Sequence, residues 1–110
     1  MRTSLEWSDF TIPESSPPVR LARLRQEADG GIWWLVRFPA GWSRPLPGHY
    51  LVEEEFWVLE GELDVSEVRY GPGDRGLVAA GEERRGSASG PGALAVARFG
   101  GPARWISSPR

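Results

Sequence analysis

With 110 residues and a formal net charge of −2, from 13 basic and 15 acidic side chains, the chain has room for one hydrophobic core and no field that would draw it to nucleic acid or anionic lipid. Cysteine is absent, which excludes a disulfide framework, a thiol nucleophile and a thiolate metal site. No signal-peptide h-region and no apolar run long enough to span a bilayer occurs, so a cytoplasmic protein with no membrane partner is expected.

In chain order, residues 1–18, with Pro13, Pro17 and Pro18, read as an irregular arm leading into one domain whose core runs from about residue 19 to 106. Residues 19–25 are expected to be a strand, although Val19, Leu21 and Leu24 would also suit a short helix over residues 18–27. The turn Asp29-Gly30-Gly31 is the plainest hairpin signal. Ile32 to Phe38 then places Ile32, Trp34, Val36 and Phe38 on one face and Trp33, Leu35 and Arg37 on the other, which is the pattern of a central strand covered on both sides. Further strands are expected over residues 50–52, 56–65, 75–79 and 93–99, separated by Gly- and Pro-rich turns. Leu63 and Val65 alternate with acidic and polar residues, and Leu94 and Val96 alternate with Ala93, Ala95 and Ala97, so each strand buries one face. Short strands at turn spacing predict an all-β sandwich or small barrel.

At GHYLVEEEFWVLEGELDV, residues 48–65, the chain resembles the first motif of the cupin superfamily, in which two histidines separated by one residue are followed by a glutamate and, further on, a glycine. His49, Glu54 and Gly61 fall in register. Pro72-Gly73-Asp74 and Ala79-Ala80-Gly81 are similar to the turns of the second motif, and Phe38-Pro39-Ala40-Gly41-Trp42 with Pro45 and His49 is similar to small cupins related to the anti-sigma factor ChrR. The resemblance covers residues 30–100 and implies an all-β cupin-type barrel of jelly-roll topology, a double-stranded β-helix. It also implies homodimerisation and an internal metal held by imidazoles and a carboxylate.

The departures from that pattern bear on function. Pro47 stands where the first histidine would be, and the histidine position of the second motif falls on Arg84 or Arg85. A guanidinium stays protonated and cannot ligate a cation. His49 and Glu54 are then the candidate ligands for a divalent metal (Zn, Fe, Mn or Ni), and two protein ligands are fewer than the three a catalytic zinc site keeps. The sequence therefore predicts no cofactor. His49 reads either as a rim imidazole or as a pH-responsive pocket group; Glu54 reads as the ion-pair partner of Arg84 or Arg85. Strand parity places Trp34 and Phe56 toward the interior, where they would line a ligand pocket together with His49, Glu54, Arg84 and Arg85, and places Trp33 and Trp57 on the outer face. Ser87 and Ser89 lack a histidine base, so serine hydrolase chemistry is disfavoured. The expected function is binding or sensing of a small molecule without a complete metal site. The alternatives are a metal-dependent enzyme of dioxygenase or isomerase type and a dimerising domain with a vestigial pocket.

Overall fold

The computed structural model describes residues 4–109. These residues form no helix and twelve strands: β1 (Trp7–Phe10), β2 (Val19–Gln26), β3 (Ile32–Phe38), β4 (Trp42–Arg44), β5 (Gly48–Tyr50), β6 (Glu54–Gly61), β7 (Leu63–Val65), β8 (Val68–Tyr70), β9 (Arg75–Val78), β10 (Ser87–Ser89), β11 (Ala93–Phe99) and β12 (Trp105–Ser107). All pairings are antiparallel. The strands make a six-stranded sheet in the order β1-β2-β3-β11-β6-β9, a four-stranded sheet β4-β10-β7-β8 and a two-stranded sheet β12-β5. The large sheet faces the two smaller ones across the interior, the layered arrangement in which each sheet hides its apolar face.

The expected central strand, Ile32–Phe38, and the strand Ala93–Phe99 lie side by side in the middle of the large sheet. The inward residues of β11 are the small ones: Ala93, Ala95 and Ala97 are buried, while Leu94 and Val96 sit half-buried on the outer face. There the indoles of Trp33 and Trp57 reach across β11 and stack with ring centroids 5.5 Å apart and planes 10° from parallel.

Two glycines permit close approach. Gly61 ends β6 with φ of 74°, and a Cβ there would lie 2.0 Å from the carbonyl oxygen of Gly92. This turn divides residues 56–65, expected as one strand, into β6 and β7. Gly76 lies under the Phe56 ring of the neighbouring strand, 2.1 Å from where a Cβ would stand.

Residues 7–10 are not part of an irregular arm: Trp7 to Phe10 pair with Val19 to Ala22 as an edge strand, because β2 would otherwise leave a row of backbone groups unpaired. Residues 1–3 of the expected arm lie outside the described residues. Residues 19–26 are strand, with a register shift between Arg23 and Arg25 that leaves Leu24 exposed. The strand expected at residues 50–52 is Gly48–Tyr50, and β4, β8, β10 and β12, each three residues long, carry too few positions for alternation to reveal.

An ion network closes the β2–β3 hairpin. Arg98 of β11 donates to Glu27 at 2.7 Å, and the Trp33 indole N–H donates to the same oxygen at 3.0 Å. The bonds from Arg98 and then Trp33 hold the Glu27 carboxyl below its ordinary value of 4.5, against an opposing push from partial burial and Asp29. A depressed carboxylate adds stability above its unfolded pKa and loses it as pH falls through the folded one. We expect Glu27→Gln to lower Tm at pH 7 and to leave it close to wild type at pH 2.5, as read by thermal unfolding at both pH values. Gly76→Ala, which drives a methyl into the Phe56 ring, is expected to cost about 1–3 kcal/mol in denaturant unfolding.

Candidate functional site

Between the sheets lies a cavity of about 420 Å³, within the range of about 300–1,000 Å³ usual for small-molecule pockets. Its walls are mostly apolar. From the large sheet come Leu21, Ile32, Trp34, Val36, Phe56, Ala95, Ala97 and Phe99; from the opposite side come Trp42, Leu63 and Val65. The alanines of β11 matter here, since a larger side chain at residue 97 would occupy the space between its cross-strand partners Trp34 and Phe56, and one at residue 95 the space between Val36 and Val58. Phe10, Ile12 and Pro13 of the N-terminal segment also line it.

The polar lining residues are Ser8, Arg44, Tyr50, Glu54, Arg84 and Ser87. Arg84 and Glu54 form a buried ion pair at 2.5 Å, with the two residues 5% and 8% exposed. Arg84 is positioned by its backbone, which bridges Gly48 in both directions (Arg84 N–H to Gly48 C=O at 2.8 Å, Gly48 N–H to Arg84 C=O at 3.1 Å). Alternation from that bridge sends Arg84 inward and Arg85 outward. Arg44, 3% exposed, donates to the Tyr50 hydroxyl at 3.0 Å and has its guanidinium carbon 3.8 Å from the Trp105 ring centroid. Tyr50 also lies within 4.8 Å of the Arg84 guanidinium, so its phenol ring stands between two buried cations. Gly48 makes the platform possible: a Cβ there would fall 2.3 Å from the Trp105 ring.

Several hydrogen-bonding groups in this cluster have no partner. Arg44 Nε, Arg84 Nε, Arg84 Nη2 and Trp105 Nε1 are buried and make no hydrogen bond among the described residues. The charge is also unbalanced, because two guanidinium groups line the cavity and Glu54 is the one carboxylate among its lining residues.

Of the six residues expected at a pocket, Trp34, Glu54, Phe56 and Arg84 are brought together. His49 is not. The β5 register against β12 turns Gly48 and Tyr50 inward and leaves His49 half-buried opposite Ile106, off the cavity lining. Arg85 is exposed and pairs with Glu67 at 3.1 Å. Arg44 and Tyr50 were not anticipated. The spacing of Arg44 two residues after Trp42 was the available signal, since an inward tryptophan carries residue i+2 inward with it.

For a metal, Glu54 is the one expected ligand that reaches the cavity, and its oxygen accepts from Arg84. Among the described residues no three His, Cys, Asp or Glu side chains stand close enough to share a cation. The cluster does not fit a transition-metal centre: no imidazole converges on Glu54, and Arg44 and Arg84 already place two positive charges there.

No protein-family model and no curated protein matches the chain. Solved structures do. An RmlC-like cupin protein from Ralstonia eutropha JMP134 superposes with a TM-score of 0.74 at 16% identity, over 93% of this chain and 67% of that one. An acetylacetone dioxygenase from Acinetobacter johnsonii gives 0.77 at 15% identity, over 91% and 71%. ChrR, the anti-sigma protein in complex with SigE of Rhodobacter sphaeroides, gives 0.68 at 23% identity, over 86% of this chain and 49% of that one. At such identities the likeness speaks to architecture, and together with the facing antiparallel sheets around an internal cavity it establishes that this chain has the cupin fold.

Proposed function

We propose that this chain is a small-molecule binding protein whose ligand occupies the cavity between the sheets and whose site works without a transition metal. The observation that carries the reading is the open, largely apolar cavity closed on its polar side by the Arg84–Glu54 pair. In the motif pattern that the chain resembles, Arg84 takes the place of a histidine ligand, so a fixed cation stands where a metal charge would otherwise act on the carboxylate. The dioxygenase or isomerase alternative requires ligands that the cluster lacks. A vestigial pocket would be expected to collapse or fill with side chains, whereas β11 presents alanines to this space.

Self-association belongs to the same proposal. The stacked Trp33 and Trp57, with the exposed Leu59 of β6 and Leu77 of the neighbouring β9, form an apolar outer face suited to a second copy of the chain.

Binding is tested with neutral probes of suitable size, 2-naphthol, indole and 1-octanol, by thermal shift and calorimetry on wild type and on Ala97→Leu, which fills the cavity. A probe at 100 times its Kd adds about 2.7 kcal/mol; wild type is expected to respond to at least one, and Ala97→Leu to lose tenfold or more in affinity. Stoichiometric metal in protein purified without a metal-binding tag would overturn the metal-free reading. Glu54→Gln, which leaves Arg84 buried without a counter-charge, is expected to cost about 3–5 kcal/mol, with most of the loss restored in Glu54→Gln/Arg84→Met. For self-association, Leu77→Glu is expected to shift the sedimentation coefficient to that of a monomer; a wild type that already sediments as a monomer at all concentrations refutes the dimer.

A further inference from the structure

We infer that the ligand is a monocarboxylate with an apolar body, its carboxylate held at the Arg44–Arg84 end of the cavity. The inference rests on the binding reading above and adds the chemical class of the ligand.

Charge balance comes first. Arg44 is 3% exposed and makes no ion pair among the described residues; its side-chain hydrogen bond goes to the neutral Tyr50 hydroxyl. Glu54 answers Arg84 alone. The buried cluster therefore carries one positive charge more than it carries negative ones, and an uncompensated charge removed from water is among the most costly features a protein interior can hold. Stacking on Trp105 and Tyr50 offsets part of that cost. A single negative charge balances it; a dianion such as a phosphate monoester would exceed it.

Hydrogen bonding points the same way. Arg44 Nε and Arg84 Nε and Nη2 are donors with no acceptor among the described residues, and native interiors seldom leave such groups unsatisfied. A carboxylate brings two oxygens with about four acceptor sites and matches the planar fork of a guanidinium. Glu54 cannot serve in this role, because it is already engaged by Arg84 Nη1. The remaining walls, with Trp34, Phe56 and Phe99 among them, are mostly apolar, the hydroxyls of Ser8 and Ser87 being the other polar side-chain groups in the lining. The ligand is thus charged at one end and apolar over the rest, as in an arylalkanoic or medium-chain acid.

The test uses the full chain and three acids, 3-phenylpropanoate, 2-naphthoate and octanoate, each beside its primary amide, with phenylphosphonate as the dianion. Calorimetry at pH 7 is expected to give at least one acid a Kd tenfold or more below that of its amide. Arg44→Gln should abolish this preference, bringing the Kd of the acid up to that of its amide. Because that variant could misfold, the wild type supplies an independent readout: the Nε–H resonances of Arg44 and Arg84 should move on adding the acid and stay in place on adding the amide. Acids and amides that bind alike, or guanidinium resonances indifferent to the acid, overturn the carboxylate assignment and leave the binding reading standing. Tighter binding of phenylphosphonate than of any acid overturns it in favour of dianions. If neither acids nor amides bind and the neutral probes above fail as well, the binding reading falls with it.

Discussion

A guanidinium and a carboxylate buried side by side, Arg84 and Glu54, tie the segment ahead of β10 to the first residue of β6. These two places belong to opposite walls of the barrel, and the pair holds them together at the polar side of the cavity. Such a pair is not a cheap source of stability, since removing two charges from water costs several kcal/mol per ion before their attraction repays it. Its value lies in position. With Arg84 anchored by the Glu54 oxygen on one side and by the backbone bridge to Gly48 on the other, the cation cannot swing out to solvent as Arg85 does.

From that anchor the rest of the polar cluster follows by contact. Gly48 carries no Cβ, so Trp105 can lie flat against β5; Trp105 in turn offers its ring face to Arg44, and Tyr50 takes the space between the two arginines. Each of these contacts depends on an adjacent one. The apolar half is built on a different rule, that of small residues at the centre of a sheet. Ala95 and Ala97 make room, Gly76 lets the Phe56 ring lie back over the neighbouring strand, and a cavity remains where a typical core would be filled. A chain of this size has few core side chains to spare, so leaving such a volume open and setting a surplus cation beside it sacrifices stability. That sacrifice is intelligible if a ligand restores the missing contacts.

Much of this was legible before any coordinates. Strand parity turned Trp34 and Phe56 inward and Trp33 and Trp57 outward, because side chains alternate strictly about an extended backbone, while Glu54 was singled out by the motif resemblance. His49 was a candidate through the motif resemblance and not through alternation; it lies off the cavity lining because the register of its three-residue strand is imposed by β12, more than fifty residues later in the chain. Arg44 went unnoticed because an isolated arginine in a short, turn-flanked segment looks like any solvated surface residue.

The sequence by itself determined the all-β architecture, the central strand Ile32–Phe38 and the strand over residues 93–99, which follow from local periodicity, while the candidacy of Glu54 and of an arginine at residue 84 or 85 came from the resemblance to the cupin motifs. Tertiary structure alone decided which arginine enters the cavity, that His49 stays outside it, and that a second arginine from β4 joins the first. The reason is physical: those outcomes depend on the pairing of strands remote in sequence, Gly48 with Arg84 and β5 with β12, and a one-residue change in either register would send a different set of side chains inward.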